Sequence, residues 1–124
     1  MKFAVGGAID KQKVAAKIAE ASNGQAEATI MSDVEAAMAV KTGKADYYIG
    51  ACATGGGGAL ALAMALLGAS RCAILSVPGR PPRQELIEKA VQEGKVAFGI
   101  TSDHIDTAVP ILVSVLMKKG DTQR

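Results

Sequence analysis

Five short apolar runs, each followed by a stretch of helical periodicity, constrain this chain more than any other feature. The runs cover residues 2–6, 26–31, 46–51, 71–77 and 96–101. Strands that alternate with helices pair in parallel, because each helix must cross back over the sheet before the next strand can begin, and such crossovers are right-handed. The expected fold is a three-layer α/β domain, a doubly wound flavodoxin- or Rossmann-like five-stranded parallel sheet in the order 2-1-3-4-5. One domain is expected over residues 1–119, with 120–124 a flexible C-terminal tail.

The residues between the runs set the helix ends. From Asp10 the pattern turns helical, with Val14, Ala15 and Ile18 facing inward and Lys11, Lys13, Lys17 and Glu20 outward, until Asn23-Gly24 stops it. Ser32 followed three residues on by Glu35 is a capping box for the next helix, which ends at Gly43. Residues 84–93 form an amphipathic helix closed by Gly94. Ser102-Asp103 caps the last helix, whose inner face is Ile105, Ile111, Leu112, Val115 and Leu116 and which Pro110 should kink or split.

Composition says what fills such a fold. Trp is absent and aromatics are 3% of the 124 residues, so small aliphatic side chains make the core, and 14 glycines let elements approach closely. A formal charge of +2, scattered along the chain, is too weak for a nucleic-acid footprint. The longest apolar run, Gly55 to Ala69, is too short and too glycine-rich to span a bilayer, so no membrane insertion is expected. Met1-Lys2 leads directly into the first strand without a secretory leader, which makes the cytoplasm the expected compartment. If the third and fourth strands were neighbours, Cys52 and Cys72 would lie on the order of 15 Å apart, too far for a disulfide. Free thiols suit a reducing compartment.

The chemistry concentrates at one junction. Cys52-Ala53-Thr54-Gly55-Gly56-Gly57-Gly58 joins the third strand to the Ala/Leu helix 59–67. A strand feeding a helix through glycines aims several backbone N–H groups at one spot, backed by the positive end of the helix dipole, and anions bind there. The nucleotide P-loop is excluded because no Lys follows the glycines. Gly56, Gly58 and Ala61 meet the dinucleotide spacing formally, but the motif follows the third strand and no acid ends the next one. The glycines serve either a tight turn beneath a closely packed helix or a ligand that approaches the backbone. Cys52 is either a buried small hydrophobe or a nucleophile or base whose pKa the dipole lowers. Thr54 caps the helix or also holds a substrate oxygen.

In the expected strand order the ligand crevice falls at the switch point between strands one and three. The loops meeting there are Gly6-Gly7-Ala8 and Cys52–Gly58, with Pro78–Arg83 on the far flank. Arg80 and Arg83 belong to a solvated loop or make bidentate anion contacts. His104, the single histidine, is expected at the sheet edge in a surface or capping role. Residues 59–67 are apolar on every face, which calls for burial all round. In so small a domain the outer face would be covered by a second copy, giving a homodimer or higher homo-oligomer.

The segment Lys44 to Gly57, with its acid, apolar strand and Cys52-Ala53-Thr54-Gly55-Gly56-Gly57, resembles the region of the catalytic cysteine in type-B ribose-phosphate isomerases and related galactose-6-phosphate isomerase subunits. Met1 to Gly6 also looks like their first strand. The resemblance implies that Cys52 is the base that moves a proton between C1 and C2 of an aldose or ketose phosphate, with the amides of Gly55 to Gly57 holding the enediolate oxygen. Those isomerases follow strand one with an Asp-His pair that helps open the sugar ring, where this chain has Gly7-Ala8-Ile9. Nearly end to end, the chain is similar to an uncharacterised bacterial family, YhfU-like, through the segments 46–52 and 94–99. The expected ligand is a small anion such as a sugar phosphate, with no cofactor and no metal. It is handled by an isomerase-like enzyme using Cys52 and Thr54 or, alternatively, by a non-catalytic binding or regulatory subunit of a larger assembly. Gly6, Gly7, Gly55, Gly56, Gly57, Gly58 and Arg80 are the expected ligand contacts.

Overall fold

A computed structural model describes residues 1–54 and 58–122. The strands are β1 (Lys2–Gly7), β2 (Glu27–Ile30), β3 (Tyr47–Cys52), β4 (Cys72–Ile74) and β5 (Ala97–Thr101). The helices are α1 (Lys11–Ala21), α2 (Asp33–Lys41), α3 (Gly58–Leu67), α4 (Gln84–Gln92) and α5 (Ile105–Thr122). Short 3-10 turns at Ala69–Arg71 and Ser102–His104 precede β4 and α5.

All strand pairs are parallel, as the alternation predicts, but the order is β2-β1-β3-β5-β4. The expected order 2-1-3-4-5 is therefore corrected at its end, because β5 inserts between β3 and β4. Burial supplies the reason. Ala97-Phe98-Gly99-Ile100-Thr101 is uncharged and buried at every residue, as a central strand must be. β4 has only three residues, leaves Ile74 exposed, and runs toward Pro78, Pro81 and Pro82. A short strand followed by prolines belongs at an edge.

This order decides which helix covers which face. Right-handed crossovers put connections that step in opposite directions on opposite faces. Accordingly α2 packs on α3, while α5 lies between α1 and α4 on the other side. The α1/α4/α5 face holds the larger side chains, including Phe3, Ile49, Phe98 and Ile100 against Leu112 and Leu116. The α2/α3 face is built mostly from alanines, with Ala4, Ala36, Ala37 and Ala63 around Tyr48 and Leu60. Small residues there let both helices lie close to the strands.

Several local expectations hold. The Ser32 hydroxyl accepts from the Glu35 N–H at 3.2 Å and the Glu35 carboxylate accepts from the Ser32 N–H at 3.4 Å, closing the capping box. Neither cysteine is in a disulfide. Pro110, however, does not split the last helix, which is continuous from Ile105 to Thr122. The bond that proline removes would go to the carbonyl of Asp106, an exposed residue in the first turn, where solvent can take its place. Helix α3 is also not buried all round within one chain: Leu60 and Ala63 are buried, whereas Ala61, Leu62 and Ala65 are exposed. No helix among the described residues is long and apolar enough to cross a membrane.

Candidate functional site

Topology singles out the carboxyl end of β3. Its connection, α3, runs over one face, whereas α1 and α5, which follow the flanking strands β1 and β5, lie on the other. Neighbouring strands whose connections part in this way open a crevice at their carboxyl ends. The chain thus has such a crevice on each side of β3. The sequence expectation placed one crevice, between β1 and β3, and that one stands.

Strand register fixes what faces the crevice. Ala4, Tyr48 and Ala97 belong to the α2/α3 core, so period-two alternation puts Gly6, Gly50, Cys52, Gly99 and Thr101 on that same face. Gly6, Gly50 and Gly99 are direct partners across β1, β3 and β5, forming a row of bare backbone. One row nearer the carboxyl end, Cys52 pairs with Thr101.

Cys52 is the last residue of β3 and is 8% exposed, with its Sγ 3.8 Å from the Thr54 hydroxyl. Thr54 is itself exposed. Thr101 is buried, and its N–H donates to the Ser76 hydroxyl at 3.0 Å. The two hydroxyls are 3.1 Å apart, and Thr101 Oγ1 lies 2.5 Å from His104 Nδ1. Thiol and hydroxyls therefore stand side by side along the carboxyl ends of β3, β5 and the segment after β4. The expected sheet-edge place of His104 is corrected, because β5 is interior and the 3-10 turn folds the imidazole back onto Thr101. Asp103 Oδ1 approaches the same ring nitrogen at 3.6 Å.

The β1 side is held rigidly. Gly7 has φ of +92°, and a methyl group on it would sit 2.5 Å from the backbone N and O of Ala51. Only glycine lets the chain turn there. The Ala51 carbonyl then accepts from the N–H groups of Ala8 and Ile9 at 3.0 and 3.2 Å, tying the β1–α1 turn to β3. Asp33, the first residue of α2, accepts the Gly7 N–H on Oδ1 at 2.6 Å.

Tyr48 lies beneath this arrangement. Its ring leans toward the strand ends over the glycine row: methyl groups on Gly50 and Gly6 would lie 2.5 and 3.1 Å from its hydroxyl oxygen. The side chain is fully buried, and among the described residues its hydroxyl is the buried side-chain oxygen that makes no well-formed hydrogen bond. Burial first, then the negative charge of Asp33 and the contact with its carboxylate, holds the phenol well above its ordinary pKa. Cys72, at the opposite end of the sheet from Cys52, donates to the Gly68 carbonyl at 3.5 Å, and burial pushes its thiol up.

Of the residues expected from sequence, the structure brings Gly6, Gly7, Cys52 and Thr54 to the strand ends. Gly58 begins α3. Gly55, Gly56 and Gly57 lie outside the described residues. Arg80 and Arg83 are exposed and line an open cavity of about 230 Å³ with Ser76, Ile74 and Leu86, on the β4 flank. Sequence reading missed Asp33, Tyr48, Ser76 and Thr101. Counting back by two from Cys52 gives Gly50 and Tyr48, a signal that would have found the tyrosine. Ser76 and Thr101 become neighbours only through the inserted β5.

Fold and site define a doubly wound parallel α/β protein with its polar side chains gathered at the carboxyl ends of its central strands. The chain belongs to the family described as "Protein of unknown function DUF2620", which it matches over residues 1–116. It is 41% identical over 115 residues to the uncharacterized protein YhfU of Escherichia coli strain K12, covering 93% of this chain and 97% of that relative. The uncharacterized YhfU proteins of Escherichia coli O6:H1 and Shigella flexneri match with the same identity and coverage. No solved structure matches the chain.

Proposed function

We propose that this protein binds a small anionic ligand of the sugar-phosphate class at the carboxyl ends of β1, β3 and β5, where Cys52 exchanges a proton with it in an aldose–ketose isomerase-like step. One observation carries the reading: the thiol of Cys52, outside any disulfide, closes the strand flanked by crevices on both sides, beside Thr54 and in register with Thr101. As a thiolate, Cys52 would take the proton from the carbon next to the carbonyl and return it to the former carbonyl carbon. The hydroxyl proton meanwhile passes, through solvent, from the oxygen that becomes the new carbonyl to the former carbonyl oxygen. The enediolate between these steps keeps every electron in the substrate, so no cofactor is required. The Gly55–Gly58 stretch and Gly6 and Gly7 supply backbone to the anion, with Arg80 as a second contact. The protein works in the cytoplasm as a homodimer or higher homo-oligomer through α3.

A second reading is favoured by the β1–α1 turn. Where the isomerase resemblance expects an Asp-His pair, Ala8 and Ile9 are bound by their N–H groups to Ala51. A chain without ring-opening groups at this turn would hold the ligand as a binding or regulatory subunit.

Thermal unfolding of wild type and Cys52→Ala with pentose, hexose and nucleotide phosphates tests both. A ligand at a hundred times its Kd adds about 2.7 kcal/mol, which raises the midpoint by several degrees. Stabilisation by a sugar phosphate, with isomerisation of that compound lost in Cys52→Ala, supports the enzyme. Stabilisation without turnover supports the binding subunit, and no shift with any compound contradicts both.

A further inference from the structure

The Tyr48 hydroxyl is a buried polar group whose contact with the Asp33 carboxylate falls short of a well-formed hydrogen bond. The backbone around it is already committed: β1, β3 and β5 pair through the Gly6–Gly50–Gly99 row, and the Gly7 N–H goes to Asp33. Phenylalanine would fill the same space without burying an oxygen that lacks a well-formed bond. A buried hydroxyl lacking a well-formed bond is destabilising, and native proteins retain few such groups. Gly6 and Gly50 also lack side chains where the ring passes, so the hydroxyl is carried toward the strand ends and brought beside Asp33.

Building on the ligand reading above, we propose that Tyr48 and Asp33 form the polyol-reading floor of the crevice, with the Tyr48 hydroxyl donating to a ligand oxygen and the Asp33 carboxylate accepting from a ligand hydroxyl. The pair selects a hydroxyl-bearing anion over a bare one. Two features suit these roles. The phenol, held above its ordinary pKa by burial and by Asp33, stays a donor throughout the physiological range. Asp33 is fixed by the Gly7 N–H and by its place in the first turn of a capped helix.

Tyr48→Phe tests this with and without ligand. Unliganded, the variant should melt higher, by roughly 3–6 °C, because a buried hydroxyl without a well-formed bond has been removed. A lower midpoint would mean that the hydroxyl has an internal partner, and would overturn the inference. In calorimetric titrations the Kd for ribose 5-phosphate should rise about tenfold or more, while that for inorganic phosphate should change less than twofold. Equal weakening for both probes, or no weakening, overturns the role of Tyr48 and leaves the ligand reading standing. Wild-type protein that binds neither probe overturns both.

Discussion

The Tyr48 ring fixes what its neighbours can be. Ala at position 50 would place a methyl group 2.5 Å from the phenol oxygen and about as close to the ring carbons as packing ever allows, at 3.0 and 3.1 Å. Overpacking of this kind typically costs about 1–3 kcal/mol, and Gly50→Ala should lose stability in that range by denaturant unfolding. Removing the hydroxyl relieves the shortest contact, so Gly50→Ala should cost less in a Tyr48→Phe background. Additive effects in that double-mutant cycle would mean that the ring does not press on Gly50. This coupling is half legible in sequence. Period-two counting aligns Tyr48, Gly50 and Cys52 on one face, but the lean of the ring over Gly6 depends on the neighbouring strand. Cys52 stands out by itself because its signal is local: an apolar strand ending in a thiol before glycines.

Elements read well wherever their signals were local. The capping box at Ser32 is one, and it also serves the crevice, since Asp33 is the residue it starts. Ser32→Ala should cost about 1 kcal/mol, measured as a lower denaturant midpoint with unchanged slope. An unchanged midpoint would show that the cap adds nothing to α2. The strand order was less legible because it is settled by competition between elements. Both 71–77 and 96–101 are apolar runs, and a helix follows each. The interior position went to the run that can be buried at every residue, leaving the edge to the one interrupted by prolines. That exchange also moved His104 from an expected edge to a place against Thr101. Pro110 does not split its helix for a related reason, since the effect of a proline depends on whether the orphaned carbonyl faces water.

The molecule as a whole leaves its small-residue layer incompletely covered. Val34 and Met38 on α2 and Leu62 on α3 are 51%, 38% and 39% exposed, on two helices that pack together. α3 has no charged residue, and in the oligomer proposed above its exposed face is the one a second copy covers. Leu62→Glu should therefore lower the sedimenting mass toward that of the 12.6 kDa chain, and a wild type that already sediments as a monomer contradicts the oligomer. The layered architecture and the β1/β3 crevice were legible from the order of elements. The second crevice, beside β5, was not, because it exists only in the observed strand order. The central proposal is a ligand held at the carboxyl ends around β3, and Cys52 would be its most direct reporter. The first measurement is the rate of iodoacetamide alkylation at Cys52, followed by mass spectrometry with increasing ribose 5-phosphate and with Cys72 as internal control. A ligand bound in the crevice slows labelling of Cys52 saturably and leaves Cys72 unaffected. Equal rates at Cys52 with and without saturating sugar phosphate would contradict a sugar-phosphate site at these strand ends.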